Sequence, residues 1–184
     1  RGPASGGSAE VYAEAHIPGA IYVPMTGGAP WRKEVNGVPF MLPSADEIQA
    51  FAREMGIDND TPVVVYSTGT DKKVADISSA TRAYWTLKVM GHDEVSILNG
   101  GIKAWEAAGL PTAMSATMPA GGGTFTAEFQ PEIHVDLAQF VAAHENGTAT
   151  FVDARPHAQY TGESKSGIVN GFGTVPGAVN AYAA

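Results

Sequence analysis

The fold is decided by the run GHDEVSILNGG, residues 91–101. The glycines at its two ends are helix-ending and turn signals, and Val95 to Leu98 between them form a short apolar run. A second apolar run, VVVY at residues 63–66, precedes it along the chain. Short continuous apolar runs are typical of strands buried in a parallel sheet. The two runs therefore predict neighbouring strands of an α/β domain.

Helical patterns alternate with these strands. Ser44 followed by Glu47 is a capping box, and it predicts a helix that ends at Gly56. A second apolar stripe at helical spacing runs from Ala80 to Met90, and a short third helix follows Gly100. Further on, Asp136 is expected to cap a helix that precedes a strand at residues 150–152. The alternation of strands and helices predicts an α/β fold around a parallel sheet.

Five other segments receive simpler predictions. A strand is expected at Ala20–Val23, a long irregular loop at 24–43 and a connecting loop from Ser67 to Ile77. Residues 1–10 resemble a loop or a frayed end. Residues 111–131 contain three consecutive glycines at 121–123 and predict a flexible interdomain linker. These glycines follow no strand and open no helix, so they do not predict a phosphate-binding loop.

Composition excludes several classes of function. The chain of 184 residues has 11 Lys and Arg against 19 Asp and Glu, a net charge of -8 that argues against nucleic acid or an anionic membrane surface as partner. No apolar run approaches the roughly 18 residues of a membrane span, so we expect a soluble protein. The sequence leaves the compartment open, with the cytoplasm favoured over the periplasm. There is no cysteine, which removes disulfides, thiolate metal sites and a cysteine nucleophile from this chain.

The histidines and acidic residues do not predict a metal site. None of the five histidines pairs at a ligand spacing, and the acidic turn at 58–60 lacks the glycine of a calcium loop. Instead, we expect a backbone hydrogen bond from His16 and a turn position for His92. No metal site is therefore expected. The histidines considered are His16, His92, His134, His144 and His157.

An internal repeat predicts two related domains. The run AHIPGAI at residues 15–21 recurs as GTVPGAV at 173–179, an offset of 158 residues. By this alignment the first copy lacks its opening strand. The counterpart of the Val63 strand in the second copy would fall beyond Ala184. We therefore expect the later part of the second domain to lie outside the sequence.

These motifs resemble the rhodanese homology domain. The resemblance is carried by residues 15–20, 63–66 and 91–101 with Trp105, and again by Asp153-Ala154-Arg155 and residues 175–180. It implies a rhodanese-like domain at 1–110 that is catalytically silent, a linker at 111–131, and the start of a second such domain at 132–184, truncated before its catalytic loop. It also implies a tandem-domain sulfurtransferase of the thiosulfate or 3-mercaptopyruvate type.

The resemblance implies a specific chemistry that uses neither a metal nor an organic cofactor. A cysteine thiolate, expected in the missing part of the second domain, would accept sulfane sulfur as a persulfide and pass it to a thiophilic acceptor. The partners would be a small anionic sulfur donor and a thiol or cyanide acceptor, and the remainder of the second domain is a possible further partner. The present chain alone should be inactive. The alternative is a non-catalytic rhodanese-like binding or scaffold module.

Two residues are the site candidates. Ser67 stands where an active domain of the family has its cysteine, and we interpret it as the first polar residue of a loop, because serine needs a strong base to become a nucleophile. No Gly-x-Ser-x-Gly elbow surrounds it, which argues against a serine hydrolase. Arg155 is expected to bind the anionic donor, with a structural ion pair to Asp153 as the alternative. Gln159 replaces a second family arginine, for which His157 or Lys165 could substitute.

Overall fold

The computed structural model describes residues 9–25, 30–67 and 74–182, without the side chains of 74–76. The chain divides into two compact units, residues 1–134 and 135–184. None of the helices in the described part of the chain combines the length and the apolar character that a membrane crossing requires.

The first unit contains four helices and four strands within its described residues. Strands β3 (Val63–Val65) and β4 (Val95–Ile97) pair in parallel, with Val63 opposite Val95 and Val65 opposite Ile97. Strands β1 (Lys33–Val35) and β2 (Val38–Met41) form an antiparallel hairpin. In chain order the elements are α1 (Ala9–Glu14), β1 (Lys33–Val35), β2 (Val38–Met41), α2 (Ala45–Glu54), β3 (Val63–Val65), α3 (Val74–Val89), β4 (Val95–Ile97), α4 (Gly101–Ala107) and a 3-10 turn (Pro131–Ile133).

The predicted capping box begins helix α2. The amide of Glu47 donates to Ser44 Oγ at 3.3 Å, and the amide of Ser44 donates to Glu47 Oε2 at 2.7 Å. Two amides that have no partner inside the helix are thereby satisfied. Lys33 donates to the same carboxylate at 2.7 Å, and this bond, followed by those from Ser44, lowers the pKa of Glu47 to about 2. This helix is confirmed.

Two apolar clusters hold the first unit together. One lies where α3 meets the β3–β4 pair and includes the buried side chains of Trp31, Leu87 and Val95. The other lies where α2 meets the end of α3 and includes Ile48 and Phe125, both with no exposed surface. Burial of apolar area of this kind is the main favourable term in folding. Helix α3 contributes to both clusters and therefore joins them.

Several local predictions are wrong in detail. Residues 20–23 form no strand, since only a single bridge joins His16 to Ala113 in this region. The expected irregular loop contains the β1–β2 hairpin, whose turn places Asn36 and Gly37 at positive φ, as an Asn-Gly hairpin turn requires. Helix α1 begins at Ala9, inside the expected frayed end.

The connecting loop is shorter than expected as well. Helix α3 begins at Val74, so the expected loop from Ser67 to Ile77 extends too far. Residues 68–73, which separate Ser67 from the helix, lie outside the described residues.

The expected linker at 111–131 lies in the first unit, and part of it is core. Phe125 is completely buried, its amide donates to the carbonyl of Ile57 at 3.1 Å, and its carbonyl accepts from Arg53 Nε at 2.8 Å. Thr124 donates to Asp58 Oδ1 with both its amide and its hydroxyl. A flexible tether would make none of these contacts. The interpretation of 111–131 as a flexible linker is therefore wrong, and the second unit starts at Val135.

The second unit is small. Its helix α5 begins with a capping box, in which the amide of Gln139 donates to Asp136 Oδ1 at 2.8 Å, as the N-cap prediction for Asp136 anticipated. Strands β5 (Val152–Asp153) and β6 (Val179–Asn180) pair in parallel and are two residues long. Strand β5 begins two residues later and ends one residue later than the strand expected at 150–152. Its elements are α5 (Leu137–Glu145), β5 (Val152–Asp153), α6 (His157–Tyr160) and β6 (Val179–Asn180).

Candidate functional site

Ser67 lies just beyond the carboxyl end of strand β3. The neighbouring strand β4 ends at Ile97, and its following turn brings Gly101 against Ser67. The carbonyl of Ser67 accepts a hydrogen bond from the amide of Ile102 at 3.2 Å. A Cβ at Gly101 would stand 2.9 Å from that carbonyl oxygen, and the φ of 55° there also favours glycine. Ligands of open α/β sheets bind at this edge, where parallel strands end.

A cavity of about 370 Å³ adjoins Ser67 on the sheet. Its described lining is mostly apolar, with Val65, Leu87 and Met25 among the lining residues and no Lys, Arg, Asp, Glu or His. Tyr66 contributes a hydroxyl that accepts from the amide of Ile17 at 3.1 Å. Burial raises the pKa of Tyr66, so its hydroxyl stays protonated at neutral pH. A cavity with such walls suits apolar groups better than an anion.

The described surroundings of Ser67 do not activate its hydroxyl. A serine nucleophile requires a base within hydrogen-bond distance. The ring of His16 in the same unit is buried and engages the carbonyl of Tyr12 through Nδ1 at 2.8 Å, as its sequence predicted. No histidine or carboxylate in the described residues makes a hydrogen bond to Ser67. The geometry therefore favours the interpretation of Ser67 as a non-nucleophilic loop residue.

Arg155 lies two residues beyond the end of strand β5 in the second unit, and it is paired with Asp153. Arg155 Nε is 2.9 Å from Asp153 Oδ1, and Nη2 is 2.5 Å from Oδ2. The Nη2 group also donates to the carbonyl of Gly173 at 2.8 Å. The structural ion pair that the sequence left open is thus formed. Arg155 Nη1 makes no hydrogen bond with the residues that the structure describes, and 38% of the side chain is exposed.

Asp153 is the centre of this polar cluster. Its side chain is only 8% exposed and accepts from Arg155 and from the hydroxyl of Thr174, which is 2.6 Å from Oδ2. The bonds from Arg155, and next that from Thr174, lower the pKa of Asp153 well below its usual range. Its backbone carbonyl accepts from Asn180 Nδ2 at 2.9 Å. The cluster therefore joins the ends of the two parallel strands of this unit.

The two residues considered as substitutes for a second arginine are engaged elsewhere. His157 Nδ1 lies 3.1 Å from Asn180 Oδ1. Lys165 Nζ donates to the carbonyls of Val169 and Asn170 and stands 5.4 Å from the ring centre of Phe172. The described contacts give neither residue a role beside Arg155.

The position of His92 was only partly anticipated. His92 follows a helix end as expected, but its ring is completely buried against Phe125, and Nδ1 lies 3.2 Å from the carbonyl of Asn59. Within the described ranges, no group of three or more histidine, aspartate or glutamate side chains could hold a metal ion.

Thr174 was missed as a site residue, although its place in the repeat, two positions before Pro176, was visible.

These features define a class: an α/β protein with short parallel strand pairs and polar residues at their carboxyl ends. Comparison with known proteins assigns the family. The rhodanese-like domain pattern matches residues 7–108, and the chain belongs to the rhodanese-like family. The match ends before the first unit does, since that unit continues to His134.

Related proteins cover nearly all of the chain. It is 32% identical over 176 residues to a 3-mercaptopyruvate sulfurtransferase of Escherichia coli, covering 94% of this chain and 58% of that protein. It is 36% identical over 173 residues to a thiosulfate sulfurtransferase of Gallus gallus, covering 92% and 55%. The crystal structure of SseA from Escherichia coli, a 3-mercaptopyruvate sulfotransferase with the rhodanese fold, matches with a TM-score of 0.77 and 32% identity over 95% of this chain and 62% of that one.

The relatives are longer than this chain. The sequence spans a little over half the length of the two sulfurtransferases to which it was compared.

Proposed function

We propose that this chain forms part of a sulfurtransferase that moves sulfane sulfur from 3-mercaptopyruvate or thiosulfate to a thiophilic acceptor. The observation that carries the proposal is the identity of 32% and 36% to proteins named for these two donors, over more than nine-tenths of the chain. A thiol or cyanide would accept the sulfur.

The proposed persulfide carrier is a cysteine outside the 184 residues. Sulfur transfer by this route needs a thiolate that attacks the donor sulfur and releases pyruvate or sulfite. The sequence contains no cysteine, and Ser67 has no activating base among its described neighbours. We therefore assign the first unit, with Ser67, a non-catalytic role, and place the start of the catalytic domain in the second unit.

Arg155 is proposed to bind the donor anion. Its Nη1 has no hydrogen-bond partner among the described residues, and 38% of its side chain is exposed. The ion pair to Asp153 fixes the guanidinium plane. Nε and Nη2 bind Asp153 and the carbonyl of Gly173, and Nη1 remains for a carboxylate or thiosulfonate. One residue would thus serve both roles considered from the sequence.

The proposal is tested by activity assays on two polypeptides. The 184-residue chain should release neither thiocyanate from thiosulfate and cyanide nor pyruvate from 3-mercaptopyruvate. The native protein, whose intact mass is compared with 19.1 kDa, should do one or both. Turnover by the 184-residue chain would contradict the assignment of the cysteine, and inactivity of a longer native protein would favour a non-catalytic binding or scaffold module.

Arg155→Ala in the native protein tests the donor site. A charge-assisted contact contributes about 1.5–3 kcal/mol, so the donor KM should rise roughly 10- to 100-fold. Arg155→Lys is the matched control, since lysine keeps the positive charge but cannot make the paired hydrogen bonds of Nε and Nη2 to Asp153. An unchanged KM together with lower stability would make Arg155 a purely structural residue.

A further inference from the structure

Two arginines of the first unit meet at the β1–β2 hairpin. Arg82, on helix α3, donates from Nε to the carbonyl of Trp31 at 2.8 Å, and from Nη2 to the carbonyls of Phe40 and Met41 at 3.3 and 3.2 Å. Arg32 places its guanidinium carbon 5.0 Å from the ring centre of Phe40. Both cations thus contact the same hairpin residue.

The positive charge of this pair is not balanced by a described carboxylate. No Asp or Glu oxygen among the described residues lies within 4.0 Å of either guanidinium, and the nearby Glu47 is engaged by Lys33 and Ser44. Arg32 Nε is buried and has no hydrogen-bond partner. Burial lowers the pKa of both arginines, and repulsion from Arg32 lowers that of Arg82 further. Both arginine side chains are partly buried. Cations withdrawn from water ordinarily have partners, so this arrangement calls for one.

The rings beside the arginines restrict the two guanidinium groups. Arg82 stands 5.0 Å from the ring centre of Trp85, as Arg32 does from that of Phe40. Stacking on an aromatic face leaves the edges of a guanidinium available for hydrogen bonds, and these edges match the geometry of an oxyanion. The backbone bonds of Arg82 hold it in place without neutralising it, because carbonyls carry no net charge.

We propose that Arg32, with Arg82 close by at the hairpin, binds a small oxyanion, a carboxylate, sulfate or phosphate group. A groove of about 420 Å³ is lined by Arg32 and Lys33 and is large enough for such a group, whereas Arg82 does not line it. Glu47 and Glu54 also line this groove. Their charges oppose a large polyanion, so the site favours a small ligand bound close to the arginines. This site uses neither Ser67 nor Arg155 and does not depend on the proposed sulfur transfer.

Isothermal titration calorimetry of the 184-residue chain with sodium sulfate tests the site, with sodium chloride of equal ionic strength as the reference. Sulfate should bind saturably with one ion per chain. Arg32→Met should weaken this binding at least 10-fold, because it removes the charge-assisted contact of the arginine that lines the groove. Arg32→Lys should show an intermediate affinity, since it keeps the charge and loses the planar fork. Phosphate and acetate titrations identify the preferred oxyanion.

Lys103→Met is the matched control. It removes one positive charge from a side chain that is 61% exposed on α4, so it should leave sulfate affinity within about twofold of the wild type. Urea unfolding without sulfate adds a second measurement: Arg32→Met should unfold at the same or a higher urea concentration, because it removes a partly buried cation that has no carboxylate partner among the described residues. Binding no stronger than that of chloride, equal weakening by Lys103→Met, or marked destabilisation by Arg32→Met without sulfate would each overturn the proposal.

Discussion

Asp153 shows how a single side chain makes stability depend on pH. Hydrogen bonds from Arg155 and Thr174 hold its folded pKa below the unfolded value of about 3.9. A depressed carboxyl pKa stabilises the fold above the unfolded pKa, and this contribution is lost as the pH falls towards the folded value. The polar cluster should therefore weaken only below about pH 4.

Asp153→Asn measures this contribution. The variant should be less stable than the wild type at pH 6, and the difference in urea midpoint should shrink as the pH falls from about 4 to 2. NMR signals of the β5 and β6 amides should be used to follow the unfolding of this unit. Tyrosine fluorescence is less suitable, because the signal of Tyr160, whose hydroxyl donates to the carbonyl of Ala178, overlaps with that of the other tyrosines. A difference that stays constant across this range would mean that Asp153 does not titrate as described.

Ser67→Cys tests the environment at the end of β3. No cationic side chain lines the described cavity beside Ser67, and a thiol among apolar groups keeps its proton. The introduced thiol should react slowly with iodoacetamide at pH 7, with the rate rising only above about pH 8.5, the pKa of a free thiol, and should not turn over thiosulfate. Rapid alkylation at pH 6 would reveal a thiolate-stabilising group.

At the scale of elements, segment 121–128 is anchored to the core of the first unit by Phe125. Phe125→Ala should cost about 3–5 kcal/mol, the range for deleting a buried phenylalanine. Phe129→Ala is the matched control, because Phe129 is 44% exposed and should cost far less. Urea unfolding of both variants supplies the comparison. Equal, small losses would restore the interpretation of this segment as a linker.

Helix α2 depends on its capping box. Ser44→Ala removes the acceptor of the Glu47 amide and should lower stability by about 0.5–2 kcal/mol. Ser115→Ala, at an exposed loop position, should change the urea midpoint little. If the two variants were equally stable, the box would be dispensable for this helix.

The elements that the sequence predicted correctly have strong local signals. A few neighbouring residues suffice to indicate the helix or strand at the capping box of Ser44, the N-cap of Asp136 and the run at 63–66. Phe125 could not be placed this way, because its partners Arg53 and Ile57 lie about 70 residues earlier and nothing local indicates them. Glycines at 121–123 suggested flexibility, whereas Gly123 lies where a Cβ would meet the backbone of Ile57 at 2.5 Å.

The candidate site was predictable to a similar extent. Family resemblance pointed to Ser67 and Arg155, and both lie beyond the carboxyl ends of strands. The orientation of Arg155 depends on the carbonyl of Gly173 and on Thr174. Both residues lie 18 or more positions later in the chain, and a loop returns them to the end of β5. The Arg32–Arg82 pair spans a hairpin and a helix, so its two members have no common pattern in the sequence.

At the scale of the whole molecule, the two units differ in how much apolar surface they bury. The second unit has 50 residues, and within it Leu137, Ile168 and Phe172 are 60% or more exposed. Units of this size bury too small a fraction of their surface to be very stable. In hydrogen exchange followed by mass spectrometry, amides of β5 and β6 should exchange before those of β3 and β4. Simultaneous exchange would indicate that the two units unfold cooperatively.

The hydrogen bonds from Thr124 to Asp58 join residues that the ribosome adds to the chain at different times. The two residues are 66 positions apart, and ribosomes add about 5–20 residues per second, so roughly 3–13 s separate their appearance. Until Phe125 emerges, the face of α2 that carries Ile48 and Ala52 has no cover from this segment. During that interval the nascent chain presents an apolar helix face to chaperones, which bind such surfaces.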